Sequence, residues 1–292
     1  ILMPVKNAFP FLNECIDSIR KQSYSNWELL AVDDTSTDDS LKTLNDFASN
    51  DHRIKVFSNT GKGIVSALSV AFAKSTGECI HRMDADDIMP SEKLNSLVQL
   101  LDGQNKTVAT GCVRYFSDTK VSEGYIDYQN WINGISDYPS EVYRECTIAS
   151  PNWLVNRSCF EKDLLIQELE YPEDYDLVLK WHALGYTVLK SEEITHFWRE
   201  HPKRTSRNSD IYQQESFFKL KLKHFIKNEL KFSESIQLIG ANSKGKLASS
   251  ILTNLNQKFE WFDFNAGRVA SNSDIKNLIE LKPEVKTLLA NW

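Results

Sequence analysis

The chain has 292 residues, enough for one large domain or two modest ones around an apolar core. Its hydrophobic fraction of 41%, charged fraction of 25% and net charge of -6 are those of an ordinary globular protein and give no electrostatic support to general nucleic-acid binding. Five scattered cysteines without a C-x-x-C pair make neither a zinc site nor a disulfide framework, no apolar run approaches the ~18 residues of a membrane span, and no signal peptide opens the chain, so a cytoplasmic location is expected.

The first half alternates strand and helix signals. The chain opens inside an apolar segment, ILMPV, so a short native start is expected ahead of it. ILMPV and WELLAVDD read as buried strands that stop at polar residues, and between them Leu12, Cys15, Ile16 and Ile19 recur at helical spacing. After the capping cluster DDTSTDDS, Leu41, Leu44 and Phe47 mark a second helix. RIKVFSN is a third strand, Gly61 and Gly63 lead into a helix on Ile64, Ala67, Leu68, Ala71 and Phe72, and ECIHRM is a fourth strand. Such repeats imply an α/β fold with a mostly parallel, Rossmann-like sheet flanked by helices.

A helix follows Pro90 (Leu94, Leu97, Val98, Leu101), and TVATGCVRYF reads as another strand. Residues 117–150 give a weak pattern expected to hold loops. PEDYDLVLKWHALG restores a helix, with Pro172 suited to its first turn, YTVLKSEE is a short strand, and THFWREHPKRTSRNS is a polar loop. Residues 210–230 form a long amphipathic helix, and IQLIGANSKGKLASSILTNL with KFEWFDFN reads as strand, glycine turn, helix and strand, a small α/β appendage. The expected organisation is 1–208 as the main domain, 209–232 as a connecting helix and 233–292 as a small C-terminal module, an incomplete Rossmann-like unit.

Two acidic clusters, Asp33-Asp34 and Asp84-Ala85-Asp86-Asp87, follow buried strands. Ligands of such sheets sit beyond the carboxyl ends of strands, so both clusters should face one crevice. Oxygen ligands alone suit Mg²⁺ or Mn²⁺, which keep waters and bind substrate phosphates through one or two carboxylates. An isolated D-x-D is more often a solvated acidic turn; the second acidic strand end reverses those odds.

With these features the sequence resembles family 2 of the inverting nucleotide-sugar glycosyltransferases, which have the GT-A fold. The matching stretches are MPVKNAFPFLNECIDSIRKQSYSNWELLAVDDTSTDDS, GIVSALSVAFAKSTGECIHRMDADDIMPSEKL, PEDYDLVLKWHALGY and FWREHPKRTS, in the family's order over roughly residues 1–208. Thr35 stands where the family usually has Gly, Trp198 where it has Tyr, and Ser69 where Asn is common. The resemblance implies a UDP-sugar donor, Mn²⁺ or Mg²⁺, and a saccharide or lipid-linked acceptor, in surface polysaccharide or glycoconjugate synthesis.

By that resemblance the backbone at Pro4 and Val5, with Asn7 nearby, lines the base, and Asp33 or Asp34 accepts the uracil N–H; helix capping is the plainer role for either aspartate. Lys62 approaches the diphosphate or is a surface lysine. Asp84 contacts ribose or metal, Asp86 binds the metal, and Arg82 binds the donor or stays on the sheet to offset the acidic cluster. Asp174, with Glu173 beside it, matches the family's general base, although acidic residues also simply favour a helix N-terminus. His201 reaches metal or diphosphate or is an exposed loop histidine, and Arg199, Lys203 and Arg204 make that loop a basic lid. His81, His182 and His196 read as structural.

Other readings stay open: a non-catalytic nucleotide-sugar-binding protein, or a metal-dependent nucleotidyltransferase or phosphohydrolase, which also uses clustered aspartates but needs no Glu173-Asp174 motif. GANSKGK departs from G-x-G-x-x-G and favours structural packing. FFKLKLKHFIKNELK can lie on an anionic membrane as a peripheral contact at its inner face, although packing on the protein is the favoured role.

Overall fold

The computed structural model describes residues 1–159, 172–230, 234–265, 272 and 274–290. The chain forms two compact units: Pro172 and the described residues from Asn208 on fall in the second, the others in the first.

The first unit opens with β1 (Leu2–Val5), α1 (Phe9–Arg20), β2 (Leu29–Asp33), α2 (Ser40–Asn50), β3 (Ile54–Ser58), α3 (Gly63–Lys74) and β4 (Cys79–His81). It continues with α4 (Lys93–Leu101), β5 (Thr107–Phe116), α5 (Glu123–Gly134), α6 (Tyr138–Glu141), β6 (Trp153–Asn156), α7 (Glu173–Ala183), β7 (Thr187–Arg199) and the short turn α8 (Thr205–Asn208), whose last residue falls in the second unit. β1, β2 and β3 pair in parallel, and a single parallel bridge from Leu2 to Arg82 joins them to a second sheet of order β4-β6-β5-β7. Of that sheet β6 runs antiparallel to both neighbours, while β5 and β7 are parallel. β2 is buried along its whole length, as a strand covered on both faces should be. The core under β1 and β2 gathers Met3, Leu12, Ile16, Leu29, Ala31, Leu44, Met83 and Met89, so the apolar stripe of α1 is what fixes that helix to the sheet.

Two segments differ from expectation. THFWR is not loop: β7 runs on to Arg199 along the full length of β5, because Thr195, His196 and Arg199 bury their polar groups against partners in the sheet and beside it. Residues 117–150 hold the 12-residue helix α5 rather than loops alone. β6 pairs only with Ala109 and Thr110 of β5, so the rest of that strand edge needs other partners. Asn133 supplies them by exchanging two bonds with the backbone of Val113, and Gln129 Oε1 accepts from Tyr115 N at 2.7 Å.

The second unit holds α9 (Gln214–Glu229), β8 (Ile236–Ile239), α10 (Ser243–Asn254), β9 (Phe259–Asp263), β10 (Ile275–Asn277) and β11 (Thr287–Leu289). Its sheet is all parallel, in the order β10-β9-β8-β11. The apolar face of α9 does not stay free for a membrane: Leu222 lies in the core with Ile236, Leu238 and Leu252, and Phe218, Phe225 and Ile226 pack on it. Residues 231–232 of the expected connecting segment lie outside the described residues. Among the described residues no helix is long and apolar enough to cross a membrane.

Candidate active site

The candidate site begins where β1 and β2 end. Pro4 and Val5 lie in β1 in register with Val32 and Asp33, and Asp34 N donates to Val5 O at 2.8 Å. Asn7 and Thr35, each two residues past the end of its strand, both take positive φ (51° and 58°). A left-handed backbone suits Asn well and a β-branched Thr poorly, which is the physical reason for a glycine preference at position 35. Asn7 Oδ1 accepts from Thr37 N at 2.8 Å, tying the two strand ends together.

The paired aspartates have different lives. Asp34 is consumed within the protein: it accepts from Asn59 Nδ2 at 2.6 Å, from Lys6 Nζ at 3.1 Å and from Gly63 N at the start of α3. Burial opposes its charge, but the bonds from Asn59, Lys6 and Gly63 outweigh burial and hold its carboxyl below the ordinary value. Asp33 is also buried, and its Oδ2 accepts from Ser36 N at 3.2 Å, while Oδ1 has no hydrogen-bond partner among the described residues. Lys62 is exposed, one residue before α3.

The acidic turn 84–87 leaves β4 at the same end of the sheet. Arg82 is buried and donates through Nε to Asp84 Oδ1 at 3.0 Å and through Nη1 to Glu173 Oε1 at 2.9 Å. Asp84 is pushed up by burial, with Arg82 opposing and Asp86 adding to the rise. Asp86 Oδ2 lies 2.8 Å from His201 Nε2, and the His201 ring packs on Phe11 at 4.5 Å. Arg199 is built into the wall: its guanidinium lies between the rings of Phe11 (4.9 Å) and Phe116 (4.5 Å), with Nε donating to Asp86 O and Nη2 to Glu14 Oε2. Arg204 stacks on Trp198 at 4.9 Å and pairs with Glu200, and Trp198 itself stacks on Tyr115 with planes 7° apart.

Asp174 stands in the first turn of α7, where its Oδ1 accepts from Tyr175 N at 2.8 Å. Burial first, and the neighbouring Glu173 second, push its carboxyl up to about 7, against the pull of Arg82. A carboxylate poised there is half ionised near neutrality, which suits a proton acceptor. Glu173 is committed to Arg82, and Asp176 to Lys180 at 2.7 Å.

Among the described residues no three acidic, His or Cys side chains converge as a ready-made metal cage. Two carboxylates and an imidazole, each already hydrogen-bonded, fit an ion that arrives with a diphosphate and keeps water, as Mg²⁺ and Mn²⁺ do.

Sequence reasoning passed over Lys93, Glu14 and Asn59. Lys93 had a visible signal: it precedes Leu97 and Leu101 by four and eight residues, on the buried stripe of α4, and is 1% exposed. His196, read as structural, joins Lys93 to Asp87. His81 lies against Trp153 O and His182 against Tyr143, away from any role above.

The family model Glycosyl transferase family 2 matches residues 1–164. An uncharacterized glycosyltransferase of Haemophilus influenzae is 38% identical over 111 residues, 38% of this chain and 44% of the relative. The uncharacterized glycosyltransferase EpsJ of Bacillus subtilis is 26% identical over 211 residues, 69% of this chain and 61% of the relative. The chain thus spans about half the length of these two relatives. Staphylococcus aureus TarS 1–349, solved in complex with UDP-GlcNAc, superposes with TM-score 0.61 at 18% identity over 78% of this chain and 66% of that one. The mannosyltransferase PcManGT from Pyrobaculum calidifontis, solved with GDP-Man and Mn²⁺, gives TM-score 0.55 at 19% identity over 77% and 61%. These likenesses show a GT-A fold. With its model matching more than half of the sequence, the chain belongs to glycosyl transferase family 2.

Proposed function

We propose that the first unit transfers a hexose or N-acetylhexosamine from a UDP-sugar to a saccharide or lipid-linked saccharide, with inversion, on the cytoplasmic side of the membrane, in making a surface polysaccharide or glycoconjugate. The observation that carries this reading is the Arg82 guanidinium, bonded both to Asp84 of the acidic turn and to Glu173, 91 residues later and next to Asp174. One side chain thereby joins a pole suited to a departing diphosphate and a pole suited to an attacking hydroxyl. A direct displacement needs both poles in one crevice.

In this reading Pro4, Val5 and Asn7 line the base. The buried Oδ1 of Asp33, unpartnered among the described residues, accepts the imide N–H of uracil, leaving Asp34 as a structural cap. Asp86, Asp84 and His201 would hold Mn²⁺ or Mg²⁺. The ion, when bound, stabilises the negative charge growing on the diphosphate. Arg204, presented on Trp198, and Lys62 face the phosphates, while Arg199 holds the turn by its bond to Asp86 O. Asp174 takes the proton of the acceptor hydroxyl as it attacks.

The test incubates the full chain with a panel of UDP-sugars, candidate acceptors and Mn²⁺, and follows UDP and inorganic phosphate. Acceptor-dependent UDP release supports transfer. Release of phosphate or pyrophosphate supports the hydrolase or nucleotidyltransferase reading, and tight UDP-sugar binding without turnover supports the non-catalytic one.

A further inference from the structure

Asp87 is the third carboxylate of the acidic turn, and the reading above gives it nothing to bind. It is 1% exposed and both of its oxygens are engaged: Oδ1 accepts from Arg199 N at 2.8 Å, and Oδ2 lies 2.9 Å from His196 Nε2. The other ring nitrogen of His196, Nδ1, lies 3.0 Å from Lys93 Nζ, and Lys93 donates in addition to Pro151 O at 2.7 Å. Where Lys93 is an ammonium it can only donate, so Nδ1 presents its lone pair and the ring proton sits on Nε2, facing Asp87; burial brings Lys93 down to about 7, so this arrangement holds at and below that pH. Burial, then the charge of Lys93, push the basicity of the His196 ring well below its ordinary value, which fits a neutral ring carrying one proton.

Three elements meet on this line. Lys93 opens α4, Pro151 precedes β6, and His196 lies in β7. Beyond His196 the same strand stays fixed to the acidic turn: Ile88 and Phe197 exchange backbone bonds of 3.1 and 3.0 Å, and Arg199 Nε donates to Asp86 O at 2.7 Å. His201, two residues further on, reaches Asp86 Oδ2. The position of His201 relative to Asp86 is therefore set by where β7 is held against residues 86–88.

The geometry points to Lys93 and His196 as positioning residues of the metal–diphosphate pole: through Asp87 they fix the spacing of Asp86 and His201, touching neither. This rests on the reading of Asp86 and His201 as the metal-proximal pair. Groups that orient ligands from behind typically change metal affinity 10–100-fold when removed. A line of buried polar groups kept for stability alone changes folding and leaves affinity as it was.

The experiment measures Mn²⁺ binding to the UDP-loaded full chain by calorimetry, UDP binding without metal, and thermal unfolding, for the parent, Lys93→Met, His196→Asn and His196→Gln. Lys93→Met and His196→Asn, whose short amide cannot span both neighbours, should weaken Mn²⁺ binding about 10–100-fold with metal-free UDP affinity unchanged. His196→Gln, long enough to accept from Lys93 and donate to Asp87, should recover most of the loss. Parent-like Mn²⁺ affinity in either folded disruptive variant overturns the inference, and His196→Asn decides it should Lys93→Met fail to fold. A parent whose UDP binding ignores Mn²⁺ overturns the metal reading itself; a responsive parent with equally responsive variants overturns the positioning role alone.

Discussion

Arg82 Nη1 donates to Glu173 Oε1 at 2.9 Å with both side chains buried, and the same guanidinium reaches Asp84 at 3.0 Å. Removing one partner of such a pair leaves an uncompensated buried charge, which costs far more than an exposed pair is worth. Arg82→Met leaves two facing carboxylates, so a loss of about 3–5 kcal/mol is expected in urea unfolding. A loss below about 1 kcal/mol would mean that water already relieves Asp84 and Glu173.

Thr35 has φ 58° and is exposed, with its hydroxyl donating to Asp34 O. A β-branched residue pays roughly 1–2 kcal/mol for a left-handed backbone, and glycine gives back about 0.5–1 kcal/mol through chain entropy. Thr35→Gly should therefore raise stability by about 0.5–1 kcal/mol, read from the urea midpoint at unchanged slope. A lowered midpoint would show that the Thr35 hydroxyl contributes more than its backbone costs.

Much of the site was legible because its motifs are local. Asp33-Asp34 and Asp84 to Asp87 each follow an apolar run, and that pattern alone puts them at strand ends. What ties the acidic turn and its flank to distant segments was not legible. The Arg82–Glu173 bond spans 91 positions and the His196–Asp87 bond 109, and no periodicity encodes pairings at such distances. THFWR was misread because a strand edge held by polar side chains lacks the apolar alternation that marks a half-buried strand. α5 was missed for a related reason: it carries one fully buried residue, Ile132, and meets β5 through the amides of Gln129 and Asn133. That Asp34 rather than Asp33 is occupied by Asn59 and Gly63 was not legible either, since those partners lie 25 and 29 positions further along.

The glycine turn of the second unit is packed for structure. Gly240 has φ 106°, and a Cβ on Gly245 would stand 1.7 Å from Gly240 O, the oxygen that also accepts from Trp261 Nε1. Backbone cannot yield as a flexible side chain does, so Gly245→Ala should destabilise the second unit by about 1–3 kcal/mol or more. Limited proteolysis should then cleave within residues 208–292 first, while UDP still binds. Equal protease resistance would contradict the clash, and loss of UDP binding with residues 1–159 still resistant would give this unit a part in the site.

Asp174 is expected to be the general base. Its carboxyl is pushed up to about 7, chiefly by burial, so the ionised form that accepts a proton fills as pH rises through that value. The kcat/KM of the parent should climb through a limb near 7, set by the free enzyme. Folding favours the protonated carboxyl, so its contribution is fully present below the ordinary value of 3.8 and is lost as pH rises through about 7. Asp174→Asn keeps the size and an acceptor for Tyr175 N but cannot ionise. It should melt above the parent at pH 8, with the advantage shrinking toward pH 4. Turnover should fall about 10²–10⁴-fold with donor affinity retained, the usual share of general-base catalysis. NMR of the new linkage should show inversion from the α-linked donor. Retained configuration, or near-parent turnover in Asp174→Asn, would remove Asp174 from this role; Glu173 and Asp176, held by Arg82 and Lys180, would then have to release their partners to replace it.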